Sequence, residues 1–409
     1  MIQYLKNSIS NVIIIASLAF FNPANAETQD QPALTRESYD VLDSARELME
    51  ENKYSEAEKK LNQLLDTKLE RYDEAVTWQT LAHVYLSTNN YQQAAECFIK
   101  SVKFNVLPEN VTHEIFYNIA QLLVATSKYK ESLEYLLPWF EHEPSPGADA
   151  HILAASVYYE IKDYQQMISH IKKAILLTPK PDKSLYETLL SGYYQIEDFK
   201  QAANLLEKMI VLFPGEGNYW TQLAATYQLS KQYKKAVAMY ELALKKGLLD
   251  ESNTLRLVHL YLQEELPYKA ASLLSEKIDS GVLQKTPENL ELLANSWLLA
   301  REKNNAITAL SHLVNIKNDP EIYYRIGRLH FDQENWEDAI SSLEKATNID
   351  NPDKQAESYL LMGIAAYHLN QTAQSSRALT EALSREITRE QAKWWLNKLG
   401  EKLEATTTG

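Results

Sequence analysis

Apolar and small residues recur along this chain at helical spacing, in short runs that come in pairs. Between Trp220 and Gly247, Trp220, Leu223, Ala224 and Tyr227 fall on one face of a first helix, and Ala236, Tyr240 and Ala243 on one face of a second. Tyr233 stands at the turn between them. The small residues Ala224 and Ala236 let the two helices cross closely, and the rings fill the space that remains. Two helices this short cannot bury such a stripe alone, so the pattern demands copies stacked on either side. The same offsets return at Trp78, Leu81, Ala82, Tyr85, Tyr91, Ala94 and Phe98, and again at Tyr323, Ile326, Gly327, His330, Trp336, Ala339 and Leu343. The position where second helix crosses first can be followed as Ala57, Ala94, Ser132, Met167, Ala202, Ala236, Ala271, Ala306, Ala339 and Ser375. That series predicts ten helix pairs, with a wider crossing at Met167, its poorest fit.

This spacing resembles the tetratricopeptide repeat. The resemblance implies an all-α fold, a right-handed superhelical solenoid of about ten helix pairs, with the first helices lining a concave side. Along the chain, residues 27–38 are polar and contain Pro32, and are expected to be a disordered lead. The array is expected over 39–386, its periodic residues starting at Val41. Pro138 is expected to interrupt a second helix, with a kink over 138–147 where Pro144, Pro146 and Gly147 follow. Pro179 and Pro214 stand where second helices should stop, and Gly247 and Gly281 offer left-handed caps. Residues 387–409 read as a capping helix and tail, with Trp394, Trp395, Leu399 and Leu403 available to cover the end of the stack.

The first 26 residues break the pattern. Lys6 precedes an apolar run from Val12 to Phe21, and Pro23 leads to Ala24, Asn25 and Ala26. This reads as a secretory signal cut after Ala26, since the run is far shorter than the roughly 20 residues that span a bilayer. Export to the periplasm, with no membrane insertion after cleavage, is the expectation. The chain carries 41 Lys and Arg against 55 Asp and Glu; loss of Lys6 takes the charge from −14 to −15. Such acidity argues against nucleic acid and anionic lipid as partners. The single cysteine, Cys97, is expected on a buried face and cannot form an internal disulfide.

Candidate chemistry is sparse. The nine histidines include no pair three or four residues apart, as a helical metal site would need. No nucleophile elbow or phosphate loop is present, so neither enzyme activity, a metal nor a cofactor is expected. What remains is surface. Beside the packed stripe, the first helices offer Tyr117, Gln121, Tyr159, Tyr194, Gln195, Thr221, Gln228, Arg256, Asn295, Tyr324 and Arg328, with Glu187 and Glu291 near them. Rings with one polar tip, mixed with amides, suit reversible recognition of an extended or helical peptide.

Longer segments add a second resemblance: Tyr219 to Leu223, Pro267 to Ala271, Asn289 to Glu302, and Gln391 with Trp395 and Leu396. Together they resemble periplasmic tetratricopeptide proteins that accompany TonB, ExbB and ExbD-type energy-transduction systems. The resemblance implies a scaffold in TonB-dependent uptake across the outer membrane, with iron carriers as the usual cargo and a transducer or receptor as partner. An envelope-assembly scaffold for peptidoglycan or polysaccharide machinery is the alternative.

Overall fold

One turn geometry is repeated at every hairpin. The first helix of each pair ends in a residue with left-handed backbone: Asn52, Asn89, Ser127, Lys162, Glu197, Lys231, Glu265, Arg301, Glu334 and Asn370, with φ between 55° and 64°. The next N–H then reaches back to the first helix, as from Lys53 to Leu48 O (2.8 Å), Gln232 to Tyr227 O (2.8 Å) and Glu302 to Trp297 O (2.9 Å). This six-to-one bond satisfies a carbonyl left over at the helix end and reverses the chain. The second helix starts at once, and in several pairs Asn or Asp caps it with Gln three residues on. Asn90, Asp163 and Asp198 accept from the amides of Gln93, Gln166 and Gln201.

The computed structural model describes residues 33–407, with side chains to residue 402. The segment expected to be a secretory signal lies outside the described residues. Among the described residues there are helices and no strands. By contacts the chain divides into two units, at the connection holding Pro214, Gly215 and Gly217.

The first unit ends at Glu216. Its pairs are α1 (Arg36–Glu50) with α2 (Tyr54–Leu65), α3 (Arg71–Ser87) with α4 (Tyr91–Lys103), and α5 (Glu109–Ala125) with α6 (Tyr129–His142). Two more follow, α7 (Ala148–Glu160) with α8 (Tyr164–Leu177), and α9 (Lys183–Gln195) with α10 (Phe199–Leu212). The second unit holds α11 (Asn218–Leu229) with α12 (Tyr233–Lys245), α13 (Glu251–Gln263) with α14 (Pro267–Asp279), and α15 (Pro287–Leu299) with α16 (Lys303–Ile316). It closes with α17 (Pro320–Phe331) and α18 (Trp336–Ala346), α19 (Pro352–His368) and α20 (Thr372–Glu381), and a single helix α21 (Glu386–Thr407). Within each unit every helix packs on the one before and the one after it.

The core of each unit is a seam. All ten crossing residues, from Ala57 to Ser375, have zero exposure. Where serine replaces alanine, its hydroxyl donates to a carbonyl of the facing helix: Ser132 to Ala120 O at 2.9 Å and Ser375 to Gly363 O at 2.8 Å. Met167 fits because its neighbour in the next first helix is Gly192, where a Cβ would stand 2.9 Å from the Met167 sulfur. Gly327 and Gly363 play a like part inside their own pairs: a Cβ would lie 2.6 Å from Leu343 and 2.7 Å from Leu379.

Four expectations need correction. The array starts at Arg36, ahead of Val41, because Thr35 caps α1 and the buried Asp73 carboxylate of α3 accepts from the Thr35 hydroxyl (2.5 Å) and the Ser38 hydroxyl (2.8 Å). Part of the supposed lead is thereby pinned, and Leu34 packs on the first core. Pro138 does not interrupt α6, which runs on to His142; the carbonyl it leaves without a donor is that of exposed Glu134, in reach of water. Tyr219, not Trp220, is the fully buried ring at the start of α11; Trp220 is half-buried. In α21, Trp394 is 54% exposed, while Ala392, Trp395 and Leu396 pack on Leu360, Ile364 and Leu379.

Candidate binding face of the first helices

Three first helices of the second unit, α15, α17 and α19, are joined by polar pairs set one repeat apart. The guanidinium of Arg325 on α17 donates to Glu291 Oε1 (2.8 Å) and Asn295 Oδ1 (2.7 Å), both on α15. From the same helix, the Tyr324 hydroxyl donates to Glu357 Oε2 on α19 at 2.6 Å. Arg328 donates to the Tyr324 oxygen (3.2 Å) and lies 3.8 Å from Glu357. Lys354 of α19 pairs with Glu321 at the start of α17. Burial, with the Glu357 carboxylate as acceptor, pushes the Tyr324 hydroxyl up to about 12, so it stays a donor at neutral pH. Three consecutive first helices therefore carry a continuous polar strip whose charges largely cancel.

Of the residues singled out from sequence, the structure brings Asn295, Tyr324 and Arg328 into this strip. Tyr324 is itself buried, at 4% exposure, and only its hydroxyl takes part. Thr221 donates to Asn218 O in its own helix (2.9 Å), Gln228 is half-buried, and Arg256 is exposed on α13. In the first unit Tyr117 stacks on Trp139 (4.5 Å between centroids) and burial pushes its hydroxyl up to about 12. Gln121 is buried at 8% exposure. Tyr159 meets Tyr164 at 6.0 Å, Tyr194 meets Phe199 at 6.5 Å, and Gln195 ends α9 in solvent.

Sequence reasoning missed Arg325, Glu357, Glu321 and Lys354. A usable signal existed: opposite charges one period apart, as in Glu291 with Arg325 and Glu321 with Lys354. It also missed the approach of His151 and His170, whose Nδ1 atoms lie 3.0 Å apart. Burial, followed by the neighbouring His151 and Lys173, lowers His170 to about 4. Among the described residues no three His, Cys, Asp or Glu side chains gather as a metal site would require. Cys97 is buried, and burial pushes its thiol up to about 11, away from the reactive thiolate.

The helix pairs, their left-handed hairpin turns and their seam of small residues are those of a tetratricopeptide solenoid. Three segments, residues 75–105, 148–181 and 217–245, match the family profile described as tetratricopeptide repeat. Residues 264–346 match that of the anaphase-promoting complex, cyclosome, subunit 3. No curated protein sequence matches the chain. Among solved structures, the chain is similar to the C-terminal part of a tetratricopeptide repeat-containing protein from Cytophaga hutchinsonii, at 17% identity over 68% of this chain and 95% of that one, TM-score 0.36. It is also similar to the Cut9–Hcn1 hetero-tetramer of the anaphase-promoting complex, at 13% identity over 90% and 97%, TM-score 0.34. A third similarity is to the TPR2AB domain of yeast Sti1 in complex with pHSP90, at 15% identity over 62% and 96%, TM-score 0.34.

Proposed function

We propose that the chain is a protein-interaction scaffold that holds a partner polypeptide on its first helices, and that it works in the periplasm as an accessory of TonB-dependent outer-membrane uptake. The observation that carries the scaffold reading is the strip built on Arg325. Its fork is fixed by Glu291 and Asn295 before any partner arrives, so the surrounding amides and hydroxyls are presented with little left to order on binding. With the charges paired internally, recognition falls to rings and amides, which suits a segment of low charge.

The finer reading is supported by the sequence: the apolar run from Val12 to Phe21, followed by Ala24-Asn25-Ala26, argues for export, and the segments around Trp220, Pro267, Asn289 and Trp395 resemble scaffolds of TonB-type systems. The partner would then be a periplasmic segment of a transducer or receptor. Two measurements test this. Cell fractionation with N-terminal sequencing should place the mature protein in the periplasm, beginning at Glu27. Photoreactive residues at Gln228 and Arg256 should crosslink a transducer or receptor, with yields lowered by Arg325→Ala together with Asn295→Ala. Recovery of wall-synthesis enzymes alone would overturn the transport reading, and a cytoplasmic, full-length protein would overturn export.

A further inference from the structure

Among the described residues, the most exposed large aliphatic side chains lie on second helices of the first unit. In the last turn of α8, Leu176 and Leu177 are 84% and 49% exposed; in the last turn of α10, Val211 and Leu212 are 78% and 45% exposed. The two pairs occupy equivalent places one repeat apart. The intervening helix α9 shows that they share one end of the unit. Its first residue, Lys183, pairs with Glu216 just beyond α10, and Tyr186 in its first turn meets Phe213 at 5.7 Å between centroids. Clusters of exposed apolar side chains mark contact surfaces in soluble proteins.

Lysine surrounds them. Lys172 and Lys173 stand one turn back on α8, Lys180 follows it, and Lys208 on α10 repeats Lys173 one period later. All four are exposed, and among the described residues none is in an ion pair; the Lys208 ammonium lies 5.3 Å from the Tyr186 ring centre. The nearby acids are Asp182, which caps α9, Glu187 on α9, Glu207 on α10, and Glu216, which Lys183 already engages. Five lysines, Lys183 included, thus stand among four acids, a local balance that the chain as a whole, at net charge −14, does not have.

We infer that the ends of α8 and α10 form a second docking surface, for an acidic amphipathic segment of another protein. Its aliphatic side chains would cover Leu176 and Val211, and its carboxylates would meet Lys173, Lys180 and Lys208. A peptide of this kind touches only the patch. An anionic bilayer would instead face much of an acidic chain at once, and exposed charges are screened only over a Debye length of about 8 Å at physiological salt.

The test uses the purified protein and a synthetic helical peptide with leucine on one face and glutamate on the other, fluorescently labelled. Saturable binding that weakens with salt is expected. Leu176→Glu with Val211→Glu should weaken it at least ~10-fold, as loss of a buried anchor does, with circular dichroism unchanged because both side chains face water. Lys173→Gln with Lys208→Gln should lower affinity and flatten the salt dependence, whereas Arg325→Ala with Asn295→Ala should leave it unchanged. The inference falls if the peptide does not bind, if a leucine–lysine peptide binds equally well, or if the Leu176 and Val211 variants bind normally. Binding only to phosphatidylglycerol vesicles would overturn it in favour of lipid. Self-association abolished by the same variants would give the surface to a second copy.

Discussion

At the residue scale, the hairpin turns carry a strain that the hydrogen bonds around them hold in place. Left-handed backbone disfavours side chains other than glycine and, less so, asparagine, by about 1 kcal/mol or more. Yet Lys162, Glu197, Lys231, Glu265, Arg301 and Glu334 adopt it. None of these is glycine, so the turns were hard to see in the sequence; the two positive-φ glycines, Gly247 and Gly281, were visible because they lie between pairs. Replacing Glu197 or Lys231 by glycine relieves the Cβ clash but loosens the unfolded chain. We expect a net gain of about 0.5 kcal/mol per site, read as a higher urea midpoint. Glu197→Ala serves as the control and should bring no such gain.

At the scale of the element, what matters is how closely paired helices approach. The periodic alanines made the seam legible, and all of those positions are fully buried. Gly327 and Gly363 show where the approach is tightest, since the added Cβ would also come within 3.2 and 3.1 Å of the backbone nitrogens of Leu343 and Leu379. Alanine favours helix over glycine by roughly 1 kcal/mol. Overpacking costs typically 1–3 kcal/mol, and the contact with a backbone atom leaves little room to yield. We therefore expect Gly327→Ala to destabilise the second unit by about 1 kcal/mol net, whereas Gly400→Ala on α21, with nothing within 4 Å of its added Cβ, should not. Denaturant unfolding of the two variants decides this. The inward ring of α11 was misassigned for a related reason: Tyr219 and Trp220 are adjacent, and a period of 3.6 alone does not choose between neighbours at the edge of an apolar stripe.

For the molecule as a whole, sensitivity to acid is built into the first unit. Burial lowers His83 to about 4, and His170 falls to a similar value through burial, His151 and Lys173. Both lie in the first unit. Their ordinary value is 6.5, so the unfolded chain takes up protons below that pH while the folded unit refuses them until about 4. The stability contributed by the neutral rings is complete above 6.5 and is lost as pH falls through this window. Hydrogen exchange in α3 and α8, which carry His83 and His170, should accelerate at pH 5 relative to pH 7 after correction for intrinsic rates, and His83→Gln should reduce that difference in α3. The repeat count was legible because burial imposes a period; the start of α1, the run of α6 past Pro138 and the binding face were less so. Arg325 and Glu291 cooperate across a full repeat, and His151 and His170 meet from 19 residues apart, at distances that only the stacking of pairs creates. That stacking also limits how such a chain can change in length. Because each crossing position is sealed on every side, a single residue added within a helix would rotate all later contacts of that hairpin out of alignment. Duplicating or excising a complete hairpin would leave every surviving seam matched, so lineages of this protein should differ by whole modules or in the connections between them.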